Sequence, residues 1–279
     1  MRPLRGAWRH SYAGAVGFTG GACVGLVGWG GAQFIIPGLT HPAMNLSQLA
    51  STGVSLTSLS ISTVTGAAKF LLSDSVAIRT AVEISIPSIV TARMGAKLAA
   101  RCPDDVLQLA FNAASVVLIP THFLVQRNAA RRWSAADEDE AVHQDASRTP
   151  PIRNAAFGCV SGIVSAIMGV GGLPLTMSYL TAFAALPHHL VQGTAMLAVA
   201  PSAITSAASR MSVIPPGTAA AVSVGAMCGA TFGSSVALRT SEERLRGLYM
   251  FSLVALGGRS VWAATRNLQS IWARYKRNV

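Results

Sequence analysis

Gly28-Trp29-Gly30-Gly31 lies inside the apolar run Ala22 to Leu39, and Gly169-Val170-Gly171-Gly172 lies inside the run Cys159 to Leu180. The flanks correspond as well: Gly17 and Gly21 precede the first cluster, Gly158 and Gly162 the second. Each cluster interrupts a hydrophobic helix near its middle. An interrupted helix exposes backbone N–H and C=O groups that lipid cannot satisfy, so such breaks belong where the backbone is buried in protein or lines a cavity. Two broken segments at equivalent places in two halves point to a transporter's substrate site.

Composition agrees with a membrane setting. Of 279 residues, 51% are hydrophobic and only 12% charged, against about a quarter charged in soluble domains; the mean hydropathy is +0.45. No Asp, Glu, Lys or Arg occurs from Ser11 to Ala68 or from Asn154 to Ser209. A spanning helix needs about 20 apolar residues, so each charge-free stretch holds two spans and a turn. The expectation is an all-α, integral, multi-pass membrane protein.

The net charge of +11 does not imply nucleic acid. The cations cluster in Arg2, Arg5 and Arg9, in Arg127, Arg131 and Arg132, and in Arg274, Lys276 and Arg277. That is the placement of loops retained on the cytoplasmic side, without the basic–aromatic interleaving of single-strand binders. Cys23, Cys102, Cys159 and Cys228 form no CxxC pair and read as small packing residues. Neither a metal site nor a cofactor is expected. No Ser-His-Asp order, nucleophile elbow or phosphate loop is present, so the chain does not read as an enzyme.

The duplication extends beyond the glycines. Ser51-Thr52 corresponds to Gly193-Thr194, and Met94 to Arg101 corresponds to Phe232 to Arg239. A paired acid follows each, Asp104-Asp105 or Glu242-Glu243, placed to meet a helix N-terminus. The chain therefore divides into a basic flank (1–12), a first transmembrane repeat (13–126), a polar linker (127–153), a second repeat (154–265) and a basic tail (266–279). Each repeat has four hydrophobic segments, near 13–38, 46–72, 76–100 and 104–126, then 155–182, 188–210, 216–238 and 242–265. This makes about eight transmembrane helices, with the first segment of each repeat broken. If a broken segment crosses once, the halves are parallel; if it turns back, they can be inverted. The Arg-bearing first residues fit a flank or an organelle-targeting segment, so a plasma or inner membrane and an organellar one, mitochondrial included, both stay open. Homo-oligomerisation stays open as well.

Gly17, Gly21 and Gly25 have small-xxx-small spacing and read as helix-packing positions. Gly28, Gly30, Gly31, Gly169, Gly171 and Gly172 read as substrate-binding breaks, because a helix end presents N–H groups that favour an anion. Ser51, Ser55, Ser58, Ser62 and Thr65 recur on one helix face, either as interhelical glue or as hydroxyls lining an anion path. Ser51, Thr52 and Thr194 are the candidates for substrate contact. Arg79, Glu83, Arg93 and Lys97 fall in one stripe of the third segment. Ionisable groups within a span default to function: Glu83 could relay a proton while Arg93 attracts substrate, or Arg79 and Glu83 could simply pair. His188-His189 reads as an interfacial polar cap.

The twice-occurring Gly-x-Gly-Gly, the Pro-x-Leu-like turn and the Thr-containing polar helix resemble the TauE/SafE family of membrane permeases. The likeness runs over Gly17 to Leu39, Ser51-Thr52 and Gly95, and again over Gly158 to Leu180, Gly193-Thr194 and Gly233. It implies a secondary transporter of a small anion, a sulfur oxyanion or organosulfonate, with ion coupling. The chain departs from the pattern at Ala32 and Leu173, where a third glycine is usual, and at Ser178, which stands where the first half has Pro37. The alternatives are a passive anion channel and a non-transporting membrane scaffold. The partners expected are a small anionic substrate and the lipid bilayer.

Overall fold

The computed structural model describes residues 7–113, 124–125, 149–169, 171–183 and 186–252. The expectations for the linker core, the C-terminal tail and the ends of both repeats lie outside these residues. Among the described residues the regular elements are all helices. They are α1 (Ala7–Val27), α2 (Ala32–Thr40), α3 (Gln48–Leu71) and α4 (Ile78–Arg101), with helix α5 described over 104–113. Then come α6 (Pro151–Met168), α7 (Leu173–Phe183), α8 (His188–Ala208), α9 (Pro216–Arg239) and α10, described over 242–252.

Among the described residues α6, α8 and α9 are long and apolar enough to cross a membrane. The 24 residues of α3 span about 36 Å at 1.5 Å per residue, more than a hydrocarbon core of about 30 Å, but its serines and threonines dilute its apolar content. Charge does the same for α4, through Arg79, Glu83, Arg93, Lys97 and Arg101. One face of α4 is nonetheless apolar and exposed, with Ile78, Val82, Ile86, Val90, Met94 and Leu98 at steps of four.

The glycine spacing builds the tightest helix contacts. A Cβ on Gly17 or Gly21 would overlap the backbone of Val222 or Ala226 in α9. From the other side, Gly225, Gly229 and Gly233 press on α1 at Gly14, Phe18 and Ala22. Without Cβ atoms the two backbones close together, which is how small-xxx-small faces gain dispersion contact in lipid. The same device joins α4 to α6, where Gly158 meets Ile84, Gly162 meets Ser88 and Gly95 meets Ile163.

These contacts also fix direction. Residue numbers rise together along α1 and α9 and along α4 and α6, so each pair is parallel. Ser62 of α3 reaches Ala226, and Lys69 reaches Thr231 and Ser235, so α3 is parallel to α9 and hence to α1. Along α3 and α8 the numbers run oppositely, Gly66 lying by Met196 and Phe70 by Gly193. The end of α6 lies by the start of α3, with Gly169 against Thr52. Its start lies by that of α4, where Asn154 bonds Glu83. So α6 runs opposite to α1, and α8 opposite to α3. Arg153 and Arg239 consequently share one end of the bundle, opposite the end where α1 begins.

Each glycine cluster turns the chain back. Gly31, just before α2, and Ile35 of α2 lie against Gly20, and Gly38 lies against Val16, so α2 runs antiparallel along α1. In the same way Gly172 lies against Ser161 and Ser165, and Tyr179 stacks on Phe157 with ring centroids 4.1 Å apart. The broken segments are thus helical hairpins.

The paired acids do meet helix N-termini, at the third helix of each half. Asp104 Oδ1 accepts from Leu49 N at 3.1 Å, and Ser47 Oγ accepts from Ala50 N at 3.2 Å, capping α3. The Glu242 carboxylate accepts from His188 N at 2.9 Å and His189 N at 3.0 Å, capping α8. Their negative charge offsets the positive dipole end and the orphan donors there. His188 is buried edge-on against Tyr249, a packed cap residue.

Candidate substrate site

Each hairpin tip docks on the opposite half. A Cβ on Gly28 would meet Met177 of α7 and Gln192 of α8. Gly169 lies against Thr52 of α3, and Gly171 against Leu59. Gly28, Gly169, Gly171 and Gly172 have φ between +70° and +77°, the left-handed region where a side chain is strained. Gly30 and Gly31 lack positive φ; Gly31 serves close packing on Gly20 instead. The second break is therefore the more sharply turned.

A helix that ends inside a bundle leaves carbonyls to satisfy. At the first break, the Gln192 amide donates to Gly25 O at 2.7 Å, and Gly28 N closes on Val24 O at 3.0 Å. At the second break, Ser55 Oγ donates to Gly169 O at 3.1 Å, and Arg210 Nη2 donates to Ala166 O. Arg210 Nη1 also donates to Thr52 Oγ1 at 2.7 Å. Helix α8 thus serves both breaks, with Gln192 in its first turns and Arg210 two residues past its end.

Arg210 is 2% exposed, a buried cation at the end of the hydrophobic segment 188–210. Its Nε has no partner. Buried hydroxyls beside its partners in the chain also lack one: Ser51 precedes Thr52, Ser165 precedes Ala166 and lies against Gly172, and Ser206 is four residues before Arg210. Among the described residues the first break has Gln192, with its Oε1 unpartnered, where the second has a cation.

The remaining candidates lie apart from the breaks. Thr194 Oγ1 accepts from Ala77 N at 2.8 Å and holds the start of α4. Arg93 is exposed beside the apolar face of α4. Glu83 pairs with Arg79 at 3.0 Å and accepts from Asn154 Nδ2 at 2.7 Å; Asn154 Oδ1 in turn accepts from the Tyr179 hydroxyl at 2.7 Å. Most of the α3 hydroxyl stripe bonds carbonyls of its own helix, among them Ser58, Ser62 and Thr65. A cleft of about 390 Å³ bordered by Thr57, Ile61, Ile204 and Met211 includes neither break, and the Thr57 hydroxyl is already bonded to Gly53 O. No group of His, Cys, Asp and Glu able to hold a metal occurs among the described residues.

The only signal in sequence for Arg210 was its isolation. It is a single cation between Ser209 and the apolar Met211, Val213 and Ile214, unlike the clustered cations of the other loops.

A family profile, sulfite exporter TauE/SafE, matches residues 13–260. No curated protein and no solved structure matches the chain.

Proposed function

Since the chain belongs to the sulfite exporter TauE/SafE family, a family of membrane transporters, we propose that it is a multi-pass secondary transporter of a small anion, a sulfur oxyanion or organosulfonate. The observation that carries this reading is the pair of glycine-turned hairpins, entering from opposite ends and each docked on the central helix of the other half. Helices α1–α5 and α6–α10 then form two repeats of inverted direction. Rocking of one against the other can expose a shared site alternately, as inverted repeats do in other carriers. The substrate contacts in this reading are the backbone at Gly28, Gly30, Gly31, Gly169, Gly171 and Gly172, with Ser51 and Thr52 on α3.

For coupling, the carboxylate we assign is Glu83. Protonation would loosen its hold on Arg79 and Asn154, and through Asn154 on Tyr179 at the end of the second hairpin, linking a proton to hairpin position. Flux of sulfite, sulfate and a sulfonate into proteoliposomes across a pH gradient tests both parts. Saturable anion flux driven by the gradient, with the pH dependence removed by Glu83→Gln, is expected. Flux equal to protein-free vesicles defeats the transport reading; an unaltered pH profile in Glu83→Gln makes Glu83 structural.

A further inference from the structure

We propose that the second glycine break is the anion-binding half of the site, and that Arg210 is its binding cation. The ligand class is a small oxyanion presenting two oxygens to the guanidinium, with Ser51, Ser165 and Ser206 as hydroxyl donors. The choice of a sulfur oxyanion rests on the transport reading above; the site itself does not.

A guanidinium is always protonated in proteins and offers five donors. Buried charges are paired or bound to a counter-charge, because desolvation is costly otherwise. Glu83 pairs with Arg79 and Glu242 with His189, and no carboxylate among the described residues pairs with Arg210. Its two protein partners are neutral acceptors, Thr52 Oγ1 and Ala166 O. Ala166 O, at the negative end of the α6 dipole, offsets only part of the charge.

Unmade hydrogen bonds add a second, independent line. Arg210 Nε, Ser51 Oγ, Ser165 Oγ and Ser206 Oγ belong to residues at most 2% exposed and have no partner. Buried polar atoms are normally satisfied, and exceptions call for an explanation. One anion held by charge-assisted bonds would pair the cation and these donors together, and the guanidinium fork suits two oxygens of one group. Helix α7 begins at Leu173, and Gly172 just before it lies against Ser165, so a positive dipole end stands at the same break. The first break, with Gln192 in place of a cation, suits the neutral or leaving side of the path.

The test is direct binding to the purified full chain in detergent, read by calorimetry and by ligand-induced thermal shift with sulfite and with methanesulfonate. Wild type should bind saturably. Arg210→Gln should weaken binding roughly thirtyfold or more, and Arg210→Lys, which keeps charge without the fork, should fall between. Ser206→Ala and Ser165→Ala separate binding from folding. Deleting an unsatisfied buried hydroxyl should leave thermal stability unchanged or higher, yet weaken affinity up to about tenfold if it donates to the anion.

A folded Arg210→Gln that binds like wild type overturns the proposal. If that variant does not fold, unchanged affinity in both serine variants overturns it, as does wild type that binds neither anion. Flux measured in parallel separates the two readings. Arg210-dependent binding without wild-type flux leaves the site standing and sinks transport, and flux with Arg210-independent binding does the reverse.

Discussion

Gly169→Ala is the substitution in which backbone, packing and site meet. At φ +70° an alanine pays about 1–2 kcal/mol for left-handed geometry. Its Cβ would stand 2.6 Å from Thr52 Cβ and 3.0 Å from Thr52 Cα. The second of these is backbone, so no rotamer change relieves it and α3 must shift; overpacking of this kind costs about 1–3 kcal/mol. Taking about 3 kcal/mol in all, and 2–4 °C per kcal/mol for a chain of this size, the thermal midpoint should fall by roughly 6–12 °C. Flux should fall further than stability implies, because Thr52 is the hydroxyl that orients Arg210. Gly14→Ala is the matched control. Its Cβ would meet only Ala221 O, at an ordinary 3.7 Å, within a helix where alanine gains about 0.5–1 kcal/mol over glycine. Thermal unfolding in detergent and flux in proteoliposomes read both variants. If Gly169→Ala matches Gly14→Ala in midpoint and flux, the reasoning about the break is wrong.

Two other substitutions test neighbouring parts of the account. Glu242→Gln keeps shape but removes the charge that caps α8, so stability should fall by about 0.5–2 kcal/mol, read as a lower unfolding midpoint with substrate preference unchanged. Arg93→Gln should leave flux and affinity at wild-type levels, since the side chain is exposed on α4 beside an apolar face; a tenfold loss of flux would restore it as a substrate-attracting residue.

Much of this architecture was legible in sequence because it rests on local rules. The glycine clusters break their helices, the small-xxx-small glycines bring helices into backbone contact, and the acid pairs cap N-termini. What the sequence left open was tertiary. Hydropathy carries no direction, so it takes the cross-contacts of α3 with α9 and of α6 with α3 and α4 to show that the halves run oppositely. The contacts of α2 along α1 and of α7 along α6 show that each hairpin turns back rather than continuing. The acids also sit at the starts of α5 and α10, yet they reach across to α3 and α8, which a local dipole argument does not foresee. The charged stripe of α4 drew notice because its charges lie within a helix; the structure pairs Glu83 with Arg79 near the helix start and leaves Arg93 exposed. Arg210 escaped notice for the opposite reason. It closes the hydrophobic segment 188–210 just past a charge-free run, and its burial depends on the end of α6 returning to α3 from another part of the chain.

Counterflow tests the central claim, that the two turned-back hairpins form an anion carrier, most directly. Vesicles holding the purified protein and excess unlabelled sulfite are diluted into a trace of labelled sulfite. The account predicts transient accumulation of label above its equilibrium level, abolished by Gly171→Leu, whose side chain would overlap Leu59. Label that only equilibrates, or counterflow that persists in folded Gly171→Leu, would contradict it.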